Sequence, residues 1–463
     1  MFVGRLTELN ALNKAYKRDG FQFAVVYGRR RVGKTALVNE FIRNKRAVYF
    51  SAVESTIESN IAQLSEQILS VLTPSAPRNP FATFGDAVQF CFEQARNRRI
   101  VVVIDEYPYL AESDRSVSSV LQNAIDKWQG KSQLFLILCG SSMSFMENQV
   151  MGYKSPLYGR RTSQLKVLPF DYFDSAKMYP TFGDEDKIAL YAITGGVPEY
   201  ASRLDASLSV RDNLLDLLFD QSGRLFEEPS NLLKQELKSP QTYNAIIAAI
   251  ASGHTRLGEI ATAANIETSQ CSNMLKILIS LGLVKKELPA VNPNARKSIY
   301  VLADQMFRFW YRFVLPNKSR ILAGVGDTVC DEVLSEHLSA FLGYTFEECA
   351  KQYMWRVLRS KSSPVNFREV GRWWGGSRVE RREEEIDFVA WNDASAIFGE
   401  CKWRNAPTGV DVLDGLIYRS ENFEQFDEKH FWLFSKSGYT DALKDRAAAL
   451  RNVHLVELPD MFE

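Results

Sequence analysis

The chain has little of what would settle its chemistry at a glance. Six cysteines and four histidines in 463 residues are too scattered for a zinc site: Cys91, Cys139, Cys271, Cys330, Cys349 and Cys401 form no CxxC pair, and the histidines complete no ligand spacing. Reduced, mostly buried thiols are expected. The longest apolar stretches, such as LFLILC, fall far short of the ~18 residues of a spanning helix. The N-terminus also lacks the basic, apolar and small-residue succession of a signal peptide, so a cytoplasmic protein without a membrane partner is expected. Nor does one sign of charge dominate: 56 Lys plus Arg balance 56 Asp plus Glu, so any surface for nucleic acid has to be local. What the chain does have is length and 46% apolar residues, enough for roughly three packed domains.

The first organised stretch is FQFAVVYGRRRVGKTALVNEF. Phe21 to Tyr27 carries strand-forming residues, Gly28 to Thr35 fits the phosphate-binding pattern GxxxxGK followed by Ser or Thr, and Ala36 to Phe41 continues with helical spacing. Glycines at 28 and 33 let the backbone turn tightly, so the N–H groups of Gly28, Arg29, Arg30, Arg31, Val32, Gly33, Lys34, Thr35 and Ala36 can cradle the phosphates of ATP. Lys34 is expected at the β and γ phosphates and the Thr35 hydroxyl on Mg²⁺. The three arginines can touch phosphate, a neighbouring subunit or only solvent.

RRIVVVIDEYPYL supplies the acidic partner strand. Ile100 to Ile104 is an unbroken β-branched run, as in a strand buried on both faces of a parallel sheet, and Asp105 and Glu106 follow at its carboxyl end. Asp105 suits the outer-shell Mg²⁺ contact and Glu106 the base that orients the attacking water. QLFLILCGSS reads as a third buried strand, ending in Ser141 and Ser142, placed to sense the γ phosphate or to cap a helix. In LYGRRT, Arg160 and Arg161 are either exposed surface charges or arginine fingers, in cis or across the interface of a homo-oligomer.

FVGRLTELNAL, GRRRVGKT, VVVIDEYPYL, LCGSSMSFM, LYGRRT and TGGVPEYASRL, in that order, resemble the archaeal-type ATPase family in the STAND and AAA+ branch of P-loop NTPases. The resemblance implies an α/β core over 1–165 and a helical lid over 166–235. It also implies that Val3, Gly4 and Arg5 approach the adenine and that Pro198 marks the lid close to the nucleotide.

Residues 236–303 change character. TYNAIIAAIASG, RLGEIATAAN and ETSQCSNMLKILISLGLV read as three helices, and KKELPAVNPNARKSIYVL as a hairpin: the outline of a winged helix. With Met274, Leu275, Leu278 and Leu281 facing inward, Ser269, Gln270, Asn273 and Lys276 face outward, where a DNA groove would be read. Lys285, Lys286, Arg296 and Lys297 dress the wing with phosphate-seeking charge. Winged helices also dock proteins, so both partners stay open.

After a linker at 304–330, EEEIDFVAWNDASAIFGECKWRN reads as two alternating strands with a turn at Asn392 and Asp393. Pairing them sets Asp387 beside Glu400, with Lys402 on the face of Glu400 because side chains repeat every two residues. Two carboxylates suit Mg²⁺ or Mn²⁺ and the lysine suits hydroxide or leaving-group charge, the chemistry of phosphodiester hydrolysis. An upstream helix offers Glu347 or Glu348 to the same metal. Between them lie Arg356, Arg359, Lys361, Arg368, Arg372, Arg378, Arg381 and Arg382 against only Glu369 and Glu380, with Trp373 and Trp374 as stacking or core residues. This order of elements resembles the PD-(D/E)xK nuclease superfamily, and residues 331–463 resemble the C-terminal domain that often follows this ATPase. The resemblance puts Glu347, Asp387, Glu400 and Lys402 at the site positions. Ile386 departs from the motif's proline, and no glutamine motif is seen near Tyr418.

The combined expectation is an α/β protein with a P-loop core, helical lid, winged helix and restriction-endonuclease-like domain: an ATP- and DNA-binding ATPase with a metal-dependent nuclease domain. The alternative is a nucleotide-switched regulator or scaffold whose nuclease-like domain is inactive.

Overall fold

The computed structural model describes residues 2–75, 79–376 and 383–463. The chain forms two compact units, one of residues 1–169 with 197–199 and one of 170–196 with 200–463. Arg378, Glu380, Arg381 and Arg382, part of the basic segment noted above, lie outside the described residues.

The first unit is built on a parallel sheet of β1 (Gln22–Tyr27), β2 (Ala47–Ser51), β3 (Ile100–Asp105), β4 (Leu134–Gly140) and β5 (Ser163–Lys166), in the order β2-β3-β4-β1-β5. The three central strands are buried at every position, and their sequences are continuous apolar runs for that reason. At the sheet edges β2 and β5 alternate between half-buried and exposed or buried positions. Helix α1 (Lys34–Ile42) follows β1 through the phosphate-loop segment, and α2 (Tyr107–Ser113) follows β3. A Cβ at Gly28 would stand 2.3 Å from the Val167 carbonyl oxygen, so no larger residue fits where the chain leaves β1.

In the second unit, helices α3 (Pro240–Ala251), α4 (Leu257–Ala263) and α5 (Thr268–Ser280) precede an antiparallel pair, β6 (Val284–Glu287) and β7 (Ile299–Leu302). Helix α6 (Leu338–Arg359) then leads into β8 (Glu369–Gly376), β9 (Glu383–Trp391), β10 (Ser395–Lys402), helix α7 (Val410–Ser420), β11 (Glu428–Ser435) and β12 (Val453–Glu457). These five strands form a mixed sheet ordered β12-β11-β10-β9-β8, parallel from β10 to β12 and antiparallel from β8 to β10.

Both faces of this sheet are covered. Phe346, Cys349, Ala350 and Met354 of α6 pack with Phe388, Ile397 and Phe434, while Val412, Leu413 and Leu416 of α7 pack with Val389, Phe398 and Leu433. The alternation Ala396, Ile397, Phe398 along β10 sends neighbouring residues to opposite layers. Gly399 is the exception, because the Phe388 ring lies across it and a Cβ there would come within 2.0 Å of that ring. Gly399→Ala is expected to destabilise the second unit by about 1–3 kcal/mol through overpacking, measured as a lower urea midpoint with an unchanged slope.

Candidate nucleotide and carboxylate sites

The phosphate loop is held by its own side chains. Arg31 and Gly33 take left-handed backbone angles, φ 73° and 87°, so the loop turns sharply before α1. The Lys34 ammonium donates back to the Arg29 carbonyl at 2.9 Å, Arg30 donates to the Tyr109 hydroxyl at 3.1 Å, and Val32 is fully buried. Thr35 and Ala36 are exposed at the head of α1.

Asp105 is 3% exposed and ties three elements together. Its Oδ2 accepts the Thr35 hydroxyl at 2.9 Å and the Tyr49 phenol at 2.6 Å, and its Oδ1 accepts the Glu106 N–H at 2.9 Å. Tyr49 was not legible in the sequence; burial and the Asp105 carboxylate raise its phenol well above the usual range. Glu106 sits in a left-handed turn, φ 49°, and its Oε2 accepts both the Ser141 hydroxyl at 2.8 Å and the Ser141 N–H at 3.3 Å. This bond exists because β4 lies between β1 and β3. Ser142 makes no side-chain bond to the turn it precedes.

Pro198 packs against the loop, its Cγ 3.6 Å from where a Gly33 Cβ would stand, and Glu199 approaches Arg31 Nε at 3.8 Å. Arg5 is buried and donates to the Val32 carbonyl at 2.8 Å and to Glu8 at 3.0 Å, so its guanidinium braces the phosphate loop while Val3 and Gly4 are half-buried. Arg160 forms a two-pronged pair with Asp126, both bonds at 2.7 Å. Arg161 donates to the Met151 carbonyl at 3.4 Å. A hydroxyl and a carboxylate in contact at the head of α1 fit Mg²⁺ held with phosphate oxygens; Thr35 and Asp105 would hold it, and it would supply neutralisation of phosphate charge.

Residues 2–204 match a family model described as an ATPase domain predominantly from Archaea. A protein of Methanocaldococcus jannaschii, itself uncharacterised, is 31% identical over 442 residues, 94% of this chain and 96% of the relative. The chain belongs to this archaeal-type ATPase family. Residues 310–412 of the ATPase match a second model, described as archaeal and bacterial proteins of unknown function. The Walker-type ATPase of Pyrococcus abyssi shares the fold with a TM-score of 0.53 at 19% identity, over 67% of this chain and 96% of its own.

In the second unit of the ATPase, Gly399 is paired with Phe388 on β10 and β9, so Asp387 falls beside Glu400 at the next rung. Asp387 Oδ2 accepts the Cys401 N–H at 2.7 Å. Glu400, 7% exposed, accepts Lys402 Nζ on Oε1 and Arg419 Nη2 on Oε2, each at 2.6 Å. Burial first, then the charges of Glu400 and Glu347, push Asp387 up to about 8. Burial also raises Glu347 to about 7, against Lys351 and Arg372. The three acids thus feel one another. Yet among the described residues no three acidic, Cys or His side chains stand close enough to hold an ion together. The expected Glu347, Asp387 and Glu400 ligand set is not assembled, because both Glu400 oxygens are turned to cations. Arg419 was missed because the pattern sought after the lysine was a glutamine.

Glu348 points elsewhere, accepting Lys285 at 2.8 Å and pairing closely with Lys351; despite burial, these lysines hold its carboxyl down to about 2. Lys285 also bridges to Glu287 at 2.7 Å. It is therefore an internal clamp between β6 and α6, which corrects its reading as a phosphate contact. Gln270, Asn273, Lys276, Lys286, Arg296 and Lys297 are exposed. Trp373 is a core residue, 8% exposed and edge-on to Phe423 at 5.0 Å, and Trp374 is half-buried. Lys285→Ala leaves the half-buried Glu348 carboxylate with one partner fewer and is expected to cost about 1 kcal/mol. Chemical denaturation checks the loss, and the salt slope of any DNA binding should not change.

Proposed function

We propose that this ATPase hydrolyses ATP with Glu106 as the residue that orients water, and that it works on DNA through a second unit carrying a divalent-metal phosphodiesterase site. The observation that supports the reading is a pair of side-chain groupings in one chain: Asp105 bonded to Thr35 with Glu106 bonded to Ser141, and Asp387 beside Glu400 with Lys402 on Glu400.

In the first unit Lys34 binds phosphate, Asp105 and Thr35 hold the cation, and Ser141 keeps Glu106 aimed until nucleotide enters. In the second, residues 236–303 act as a winged helix that grips the duplex with Gln270, Asn273, Lys276 and Lys286. Asp387 and Glu400 hold the metal, which supplies an activated water when bound, and Lys402 stands ready for charge on the scissile phosphate. The lid at 166–235 and the division at 303, 330 and 331 belong to the same proposal. A second reading, a nucleotide-switched scaffold that holds DNA or a protein without cutting, is favoured by one observation: Lys402 and Arg419 occupy both Glu400 oxygens.

Lys34→Ala is expected to abolish ATP binding by calorimetry, whereas Glu106→Gln keeps the affinity and loses about 10²- to 10⁴-fold in phosphate release. Unchanged affinity in the Lys34 variant sinks the first assignment. The nuclease reading predicts Mn²⁺-dependent cleavage of branched, duplex or single-stranded DNA by wild type and none by Asp387→Asn, with binding retained. If neither cuts any of the three, the scaffold reading replaces it.

A further inference from the structure

A cavity of about 300 Å³ opens in the second unit among α3, β7, the helical residues 305–314 and the start of α6. That volume is at the low end of the ~300–1,000 Å³ typical of small-molecule sites. It takes no part in either site above. We propose that it binds a small molecule with a phosphate or carboxylate head on a flat apolar body.

The charge of the lining is one-sided. Arg308 and Arg312 contribute guanidinium groups and His337 an imidazole, while no Asp or Glu lines the cavity. Arg308 is held flat between two rings, 4.1 Å from the Phe341 and 4.1 Å from the Tyr344 centroid. Its hydrogen bonds go to neutral acceptors, Gln305 Oε1, Thr345 Oγ1 and the Phe341 carbonyl, all at 3.4 Å. Among the described residues neither Arg308 nor Arg312 has an ion-pair partner within bonding distance. His337 stacks on Phe313, 6.1 Å between centroids and 14° between planes, and lies 4.0 Å from the exposed Glu336.

A half-buried guanidinium with no carboxylate in bonding contact is costly, since it gives up water for weak neutral contacts and only the more distant charges of Glu347 and Glu348 support it. Burial accordingly lowers Arg308 to about 10, and an arginine so placed stays charged. An anionic oxygen pair would satisfy its fork and that of Arg312 together. The rings of Phe313 and Phe341 offer the apolar walls against which a flat body packs. One guanidinium held between rings, a second at the mouth, aromatic walls and no acid in the lining are what recognition of such a ligand requires.

The test uses the full chain carrying Lys34→Ala, so that the phosphate loop takes no part, titrated calorimetrically with AMP and with benzoate, and with adenosine and benzamide as their neutral counterparts. At least one anion is expected to bind with a Kd below about 1 mM, its neutral counterpart not measurably. AMP alone identifies a phosphate head and benzoate alone a carboxylate head. Adding Arg312→Gln, an exposed position that leaves the core intact, or Arg308→Gln is expected to weaken binding at least about tenfold, with Arg308→Lys restoring part of it. If neither anion binds, or if both Gln variants bind as well as the parent, the proposal is overturned. It is equally overturned if the variants lose affinity only for duplex DNA, which would make the arginines contacts to backbone phosphate.

Discussion

The first unit depends on one buried carboxylate. Asp105 is 3% exposed, and a charge so placed is tolerable only when every lone pair it turns inward meets a donor. Thr35 comes from the helix after the phosphate loop, Tyr49 from β2 and the Glu106 amide from the turn after β3. Meeting those three demands fixes the loop against the sheet, which is the geometry that phosphate binding needs. Glu106, whose amide makes the third of these bonds, takes a left-handed turn. That turn aims the Glu106 carboxylate across to Ser141.

The second unit uses full cations where the first uses hydroxyls and an amide. Lys402 and Arg419 close Glu400, and Lys285 and Lys351 close Glu348. Glu347 and Glu348 are neighbours on α6, and neighbours on a helix point about 100° apart. One helix therefore carries both an anchor, Glu348, clamped to β6, and a carboxylate that feels Asp387. Displacement of β6 is felt at α6 through this half-buried ion pair.

What could be read from the sequence was whatever local spacing determines. The phosphate loop and the acidic strand end are contiguous patterns, and the rung joining Asp387 to Glu400 follows from a short hairpin. The face of α5 follows from helical periodicity: Met274, Leu275 and Leu278 are buried while Gln270 and Asn273 are exposed. Charge partners were not legible, because they are chosen by tertiary approach. Asp126 meets Arg160 from 34 positions away, Glu348 meets Lys285 from 63, and Arg419 reaches Glu400 from 19. Periodicity reports that such a residue faces outward from its own element but not what that element faces. The reading of Lys285 as a phosphate contact failed for this reason.

The contrast between the two carboxylate sites also bears on how the second could act under the proposed reading. Thr35 and Tyr49, whose hydroxyls donate to Asp105, are neutral. Glu400 is different, since Arg419 cannot shed its proton, and although burial works against a charged Lys402, the Glu400 carboxylate beside it outweighs that and raises the lysine above its ordinary value. Opening Glu400 thus requires another anion to accept those two cations. A DNA phosphate has the charge and the oxygen geometry to do so. Arg419 and Lys402 would pass from carboxylate to phosphate, leaving Glu400 and Asp387 as an uncompensated acidic pair at the moment the scissile group is in place. In that order of events the pair has no strong affinity for a divalent ion until substrate arrives, so the cations that close the site in the free protein are also what would make it selective for a phosphodiester.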